Sequence, residues 1–107
     1  MVRRRDVVLA KVYFSDSPES KTRPAIVFSD DHYHKANFLL VASITTATDD
    51  YCIPISEKDV NCVLDKNSSA RFDGLLKLHV KQVLTVIGKV TPEFHSRLLG
   101  NIIGMIK

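Results

Sequence analysis

Asp30-Asp31-His32-Tyr33-His34 sets two carboxylates beside a His-x-His step, the densest group of metal-ligand side-chain types in the chain. Its spacing fits no strong metal template, and a polar loop accounts for it more simply, so no metal or other cofactor is expected. Cys52 and Cys62 are too far apart for a Cys-x-x-Cys site. In a reducing cytoplasm they are expected to act as small core side chains. The run Arg3-Arg4-Arg5 gathers positive charge at the start of a chain whose formal net charge is +3. That balance permits a polyanionic partner without requiring one. Tyr33 and Phe72 lie in polar segments, where an aromatic ring is available to stack on the bases of a single nucleic-acid strand.

These groups need a scaffold, and the bulk properties bound it. A chain of 107 residues fits one domain, residues 1–107, with 45% hydrophobic and 25% charged residues, an ordinary globular balance that excludes disorder. No apolar run approaches the roughly 20 residues needed to cross a bilayer. The arginine-led start passes straight into Val7-Val8-Leu9-Ala10-Lys11 without the apolar stretch of a secretory signal, so a cytoplasmic location is expected.

Along the chain, β-branched and aromatic runs predict strands over 7–14, 24–29, 38–46, 51–55, 74–80 and 83–90. Residues 15–22 read as an exposed loop, 30–37 as a turn or short helix, and 62–64 fit neither pattern. Pro24 is expected at the first residue of its strand, where the ladder tolerates proline. The one long helix runs from Pro92 to Ile106, capped by Thr91, with Pro92 at its first position and Glu93 at the positive end of the dipole. Phe94, Leu98, Leu99, Ile102, Ile103 and Ile106 recur at helical spacing on one face. Gly100 and Gly104 would let another backbone pack closely. The fold class that follows is mainly β with a C-terminal helix: a compact, curled antiparallel sheet carrying the helix on one side.

Two ordered sets of residues resemble the MazF/PemK (Kid-like) toxins. One is Arg5-Asp6-Val7-Val8-Leu9-Ala10 followed, after a polar loop, by Lys21-Thr22-Arg23-Pro24-Ala25-Ile26-Val27-Phe28-Ser29. The other is Val41-Ala42-Ser43-Ile44-Thr45-Thr46, then Ile87-Gly88-Lys89-Val90-Thr91-Pro92-Glu93. The likeness spans nearly the whole chain in order, and departs from the family at Arg5, where the family has glycine. It implies an SH3-like small barrel, a homodimer with single-stranded RNA (mRNA) across its face, and a cognate antitoxin as partner. It also implies metal-independent RNA cleavage, with the ribose 2′-hydroxyl attacking the adjacent phosphate to leave a 2′,3′-cyclic phosphate.

On this resemblance Arg23 takes the place of the catalytic arginine, whose planar fork grips phosphate oxygens and keeps its charge. Thr45 takes that of the active-site threonine, with Ser43 and Thr46 as fallbacks on the same segment. Kid-like members carry an arginine and, two positions on, an aspartate base; here those positions hold Lys77 and His79. Period-two spacing sets both on one face of a strand, and a histidine is a sensible base near neutral pH. Lys21, Tyr33, Thr46 and Phe72 are the expected RNA contacts. Two alternatives accompany this reading. A CcdB-like topoisomerase poison needs no phosphate site, and a catalytically weakened homologue would bind RNA or antitoxin without cleaving.

Overall fold

The computed structural model describes residues 2–13 and 19–107. Six strands follow in chain order: β1 (Asp6–Tyr13), β2 (Ser20–Val27), β3 (Phe38–Thr45), β4 (Cys52–Pro54), β5 (Ser69–His79) and β6 (Val83–Lys89). A short helix α1 (Asp31–His34) joins β2 to β3, and α2 (Pro92–Ile106) follows β6. All paired strands are antiparallel, in the spatial order β4-β5-β3-β2-β1-β6. Among the described residues no helix is long and apolar enough to cross a membrane.

Both faces of this sheet are buried, which explains why β1 and β2 read as nearly continuous apolar runs. On one face Val7, Ile26, Ala42, Ile44, Ala70 and Phe72 pack under Phe94, Leu98 and Ile102 of α2. On the other, Val8, Ala10, Ala25, Val27, Leu39, Val41 and Leu78 form a second cluster with Val80 and Val83. No helix covers that second cluster among the described elements. Side chains from β1, β2, β3 and β5 bury one another instead, so the sheet curls around them, and the 3-10 turn Val80–Gln82 spans the gap from β5 to β6. Burying each such Val, Leu or Ile side chain contributes about 1.5–3 kcal/mol relative to leaving it in water.

The helix ends as its sequence dictates: Thr91 Oγ1 accepts from the Phe94 amide at 3.2 Å and Pro92 occupies the first turn. Its apolar stripe is longer than the surface beneath it. Phe94, Leu98 and Ile102 are buried, whereas Ile103 is 50% and Ile106 70% exposed. A Cβ added at Gly100 or Gly104 meets nothing within 4 Å, so within the described chain no backbone uses that close approach.

Three strand boundaries differ from the sequence reading. β2 begins at Ser20 instead of Pro24, because Ser20 to Thr22 pair with Tyr13 to Lys11 in the β1–β2 ladder. Pro24 sits mid-strand, yet β2 pairs with β3 only from Ala25 to Val27, so at Pro24 the outer edge is free. β5 begins at Ser69, five residues ahead of Gly74, because Ser69 to Arg71 pair with β4. The expected strand residue Phe14 and most of the expected 15–22 loop lie outside the described residues. Residues 62–64 form no strand; Cys62 instead packs on Gly88, where a Cβ would lie 2.6 Å from its own. Arg5 adopts a left-handed backbone (φ 76°), the conformation that glycine enters most easily. Its guanidinium donates to the Val90 carbonyl at 3.0 Å, which helps hold it there.

Candidate active site

The register of the central strands decides which side chains meet. Ala25 pairs with Ser43, and two residues further the same register sets Arg23 across from Thr45, on strands spaced about 5 Å apart. Alternation along β2 and β3 puts Lys21, Arg23, Ser43 and Thr45 on one face, the face of Ala25, Leu39 and Val41. Behind Arg23 and Lys21 lie Ala10 and Val12 of β1, small apolar side chains that leave the two cations pointing outward.

Arg23 is exposed, and among the described residues it makes no ion pair or hydrogen bond. Its five donors are available to an anion. The Thr45 hydroxyl accepts from the Ala47 amide at 3.1 Å, which fixes the oxygen and leaves its proton free to donate. Ser43 is committed elsewhere, donating to the Gly74 carbonyl at 3.0 Å. Thr46 is exposed immediately beyond the strand.

Lys77 and His79 are not brought to this pair. They are the partners of Leu40 and Phe38, at the opposite end of β3 from Thr45. Five residues of extended strand separate Leu40 from Thr45, about 16 Å. They also lie on the other face: Leu76 and Leu78 join the second core cluster, so Lys77 and His79 point away from it. The Lys77 ammonium stands 4.3 Å from the Phe38 ring centroid, and the His79 ring meets Phe38 edge-on at 5.5 Å. His79 Nδ1 accepts from the Lys81 amide at 3.0 Å, which places the proton of the neutral ring on Nε2. No nitrogen of that ring is left to accept a proton. Sequence spacing put these two residues on a common face, as found, but could not say which end of β3 they would join.

Two expected RNA contacts also move out of the site. Phe72 is a core ring, 9% exposed, packed with α2 on the opposite face of the sheet. Tyr33 lies on α1, beyond the Val27 end of β2, whereas Arg23 lies near its start. The acidic and histidine-rich segment is occupied structurally. Asp30 caps α1 by accepting from the Tyr33 amide at 2.9 Å, and that bond holds its carboxyl below the usual range. His34 bonds Ser29 Oγ at 2.8 Å and the Val2 carbonyl at 3.1 Å. Among the described residues no group of three His, Cys, Asp or Glu side chains is arranged to hold a metal ion. Both cysteines are half-buried, and burial raises their thiol pKa values above the ordinary range.

One residue absent from the sequence reading belongs to this face. Ile44 pairs with Ala70 and Thr45 with Ser69, and Ala70 packs in the α2-covered core. Arg71, next along, therefore turns to the face of Thr45. Its guanidinium is held by Asp49 and, at 2.8 Å, by Asp73, and these bonds raise its pKa further. The alternation Ser69-Ala70-Arg71-Phe72 was the available signal, hidden by starting the strand at Gly74.

An exposed arginine facing a threonine hydroxyl across two strands, on a curled six-stranded sheet backed by a terminal helix, defines a small β protein with an anion-binding face. The chain belongs to the PemK-like, MazF-like family, toxins of type II toxin-antitoxin systems, whose family model matches residues 3–105. Its fold is that of MazF toxins. It is similar to MazF in the MazE–MazF complex from Deinococcus radiodurans (TM-score 0.79, 11% identity, covering 98% of this chain and 95% of that one). It is also similar to the Mycobacterium tuberculosis toxin MazF-mt6 (TM-score 0.72, 20% identity, 94% of each chain). A third similar structure is an endoribonuclease from a mycobacterial species (TM-score 0.77, 13% identity, 98% of this chain and 90% of that one). No relative was found among curated protein sequences.

Proposed function

We propose that this chain is an endoribonuclease toxin that cleaves single-stranded RNA without a metal, using Arg23 and Thr45 to grip the scissile phosphate. The observation that carries the reading is the uncommitted guanidinium of Arg23 facing the Thr45 hydroxyl, with Lys21 on the same side of β2. Attack of the 2′-hydroxyl on phosphorus gathers negative charge on the non-bridging oxygens. The Arg23 fork offsets that charge from two positions, and the Thr45 proton donates a further hydrogen bond. The ester oxygen of the leaving nucleotide takes a proton, the bond to phosphorus breaks, and a 2′,3′-cyclic phosphate and a 5′-hydroxyl remain. Lys21 and Thr46 extend the phosphate-facing surface along the strand ends.

The partners follow from the family and its structural relatives, which include an endoribonuclease in complex with its cognate antitoxin. We assign this chain an antitoxin partner and a homodimeric state. Ile103, Met105 and Ile106 at the end of α2 and Leu84 and Val86 on the outer strand β6 are exposed apolar surface that protein partners would cover.

The test is cleavage of a long single-stranded RNA in EDTA, with the fragment ends mapped. Cyclic-phosphate ends that disappear in Arg23→Ala support the proposal. RNA binding without cleavage identifies a weakened homologue, and neither binding nor cleavage favours a surface-acting poison.

A further inference from the structure

The chain between β3 and β4 faces a topological problem. β3 and β4 run parallel to each other on opposite sides of β5, so residues 46–51 must cross one face of β5 to connect them. The ion pair between Asp49 in that crossover and Arg71 on β5 fixes the side: the crossover passes over the face that carries Arg71 and, one strand away, Thr45.

The crossover is tied at both ends as well as at its middle. The Thr45 hydroxyl accepts from Ala47 at its start. Near its end, Asp49 accepts from the Tyr51 amide at 2.8 Å, and the Phe72 amide donates to the Tyr51 carbonyl at 2.9 Å. Arg71 itself cannot swing freely. Asp73 holds the second arm of its fork, and its aliphatic stem lies against Gly74, where a Cβ would come within 2.9 Å. Two carboxylates around one guanidinium leave a net negative group, which would repel a phosphate, so direct RNA binding by Arg71 is the poorer use of this arrangement.

Resting on the reading of Arg23 and Thr45 as the RNA site, we propose that the Asp49–Arg71–Asp73 cluster is a positioning clamp. It fixes the 46–51 crossover as one wall of the site and sets the Thr45 hydroxyl toward the phosphate. Arg71 is thus a positioning residue that touches no reacting atom.

Two kinds of measurement on the full chain test this. In Arg71→Gln and in Asp49→Asn, kcat for RNA cleavage is expected to fall roughly tenfold, since small misplacements of a gripping group are costly to rate. KM should change less than about threefold, and Arg71→Lys should recover part of kcat. Independently of activity, amide exchange at Ala47 and Tyr51, read by NMR, should accelerate roughly tenfold while core amides such as Val41 keep their protection. Unchanged exchange at Ala47 in both variants overturns the clamp. A rise in KM with kcat intact overturns it in favour of direct RNA contact. If the unmodified chain cleaves no RNA, the functional reading fails, and the exchange data still decide the clamp. Asp49→Asn keeps the question open to experiment should Arg71→Gln not fold.

Discussion

His79→Ala separates chemistry from architecture most sharply, because sequence spacing makes His79 the natural base and the structure gives it other work. The ring edge on Phe38 is lost in the variant, about 0.5–1.5 kcal/mol. The bond from the Lys81 amide, which caps the Val80–Gln82 turn, is lost as well, a further 0.5–1.5 kcal/mol or so. The sum, about 1–3 kcal/mol, lowers Tm by roughly 5–15 °C in a domain of this size. Single-turnover cleavage of a short RNA at 25 °C, well below the melt, should stay within about threefold of the unmodified rate. The separation of His79 from Thr45 and the occupied Nδ1 both require this. A hundredfold loss in a variant that still melts cooperatively would refute the reasoning and place His79 of a second copy at the phosphate. Mixing Arg23→Ala with His79→Ala would then restore about a quarter of the activity, from the one intact composite site in each mixed dimer.

Other expectations concern the scaffold. Gly88→Ala forces a Cβ to 2.6 Å from that of Cys62 and 2.7 Å from Asn61 Oδ1, which also accepts from the Lys89 amide. Overpacking there should cost about 1–3 kcal/mol in a denaturant titration, and an unchanged midpoint would contradict the packing described. His95 is buried with Nε2 unpartnered, and burial, then the charges of Arg4 and Arg5, hold its pKa below the ordinary 6.5. The unfolded chain therefore takes up this proton first. Stability falls as pH drops through 6.5 and levels off below the folded value, with a slope of at most about 1.4 kcal/mol per pH unit. His95→Leu should remove that part of the acid sensitivity between pH 7.5 and 5.5; an identical pH dependence in the variant would contradict it.

Much of the scaffold was legible in the sequence because local signals and tertiary demands agreed. Thr91, Pro92 and the spacing of Phe94, Leu98 and Ile102 define α2 to the residue. Phe38 to Thr45 reads as buried strand because both faces of β3 are covered. The polar start of β2 was not legible: Ser20-Lys21-Thr22 has loop composition and becomes strand only through pairing with β1. Arg71 escaped for a similar reason, as its strand is completed by β4 and the end of β3. Arg23 and Thr45 were found through a family resemblance, and only the register of β2 on β3 sets them side by side. Lys77 and His79 show the converse, since period-two spacing gives the shared face of two residues without the place of that face in the sheet.

A double-mutant cycle on RNA cleavage, with Arg23→Lys, Thr45→Val and the pair combined, tests most directly whether one phosphate is gripped by both side chains. If it is, each single variant slows the reaction, and the double variant is little slower than the worse single one, because the first loss already disorders the shared contact. Losses that multiply as independent factors, or a Thr45→Val variant at full rate, would contradict the account.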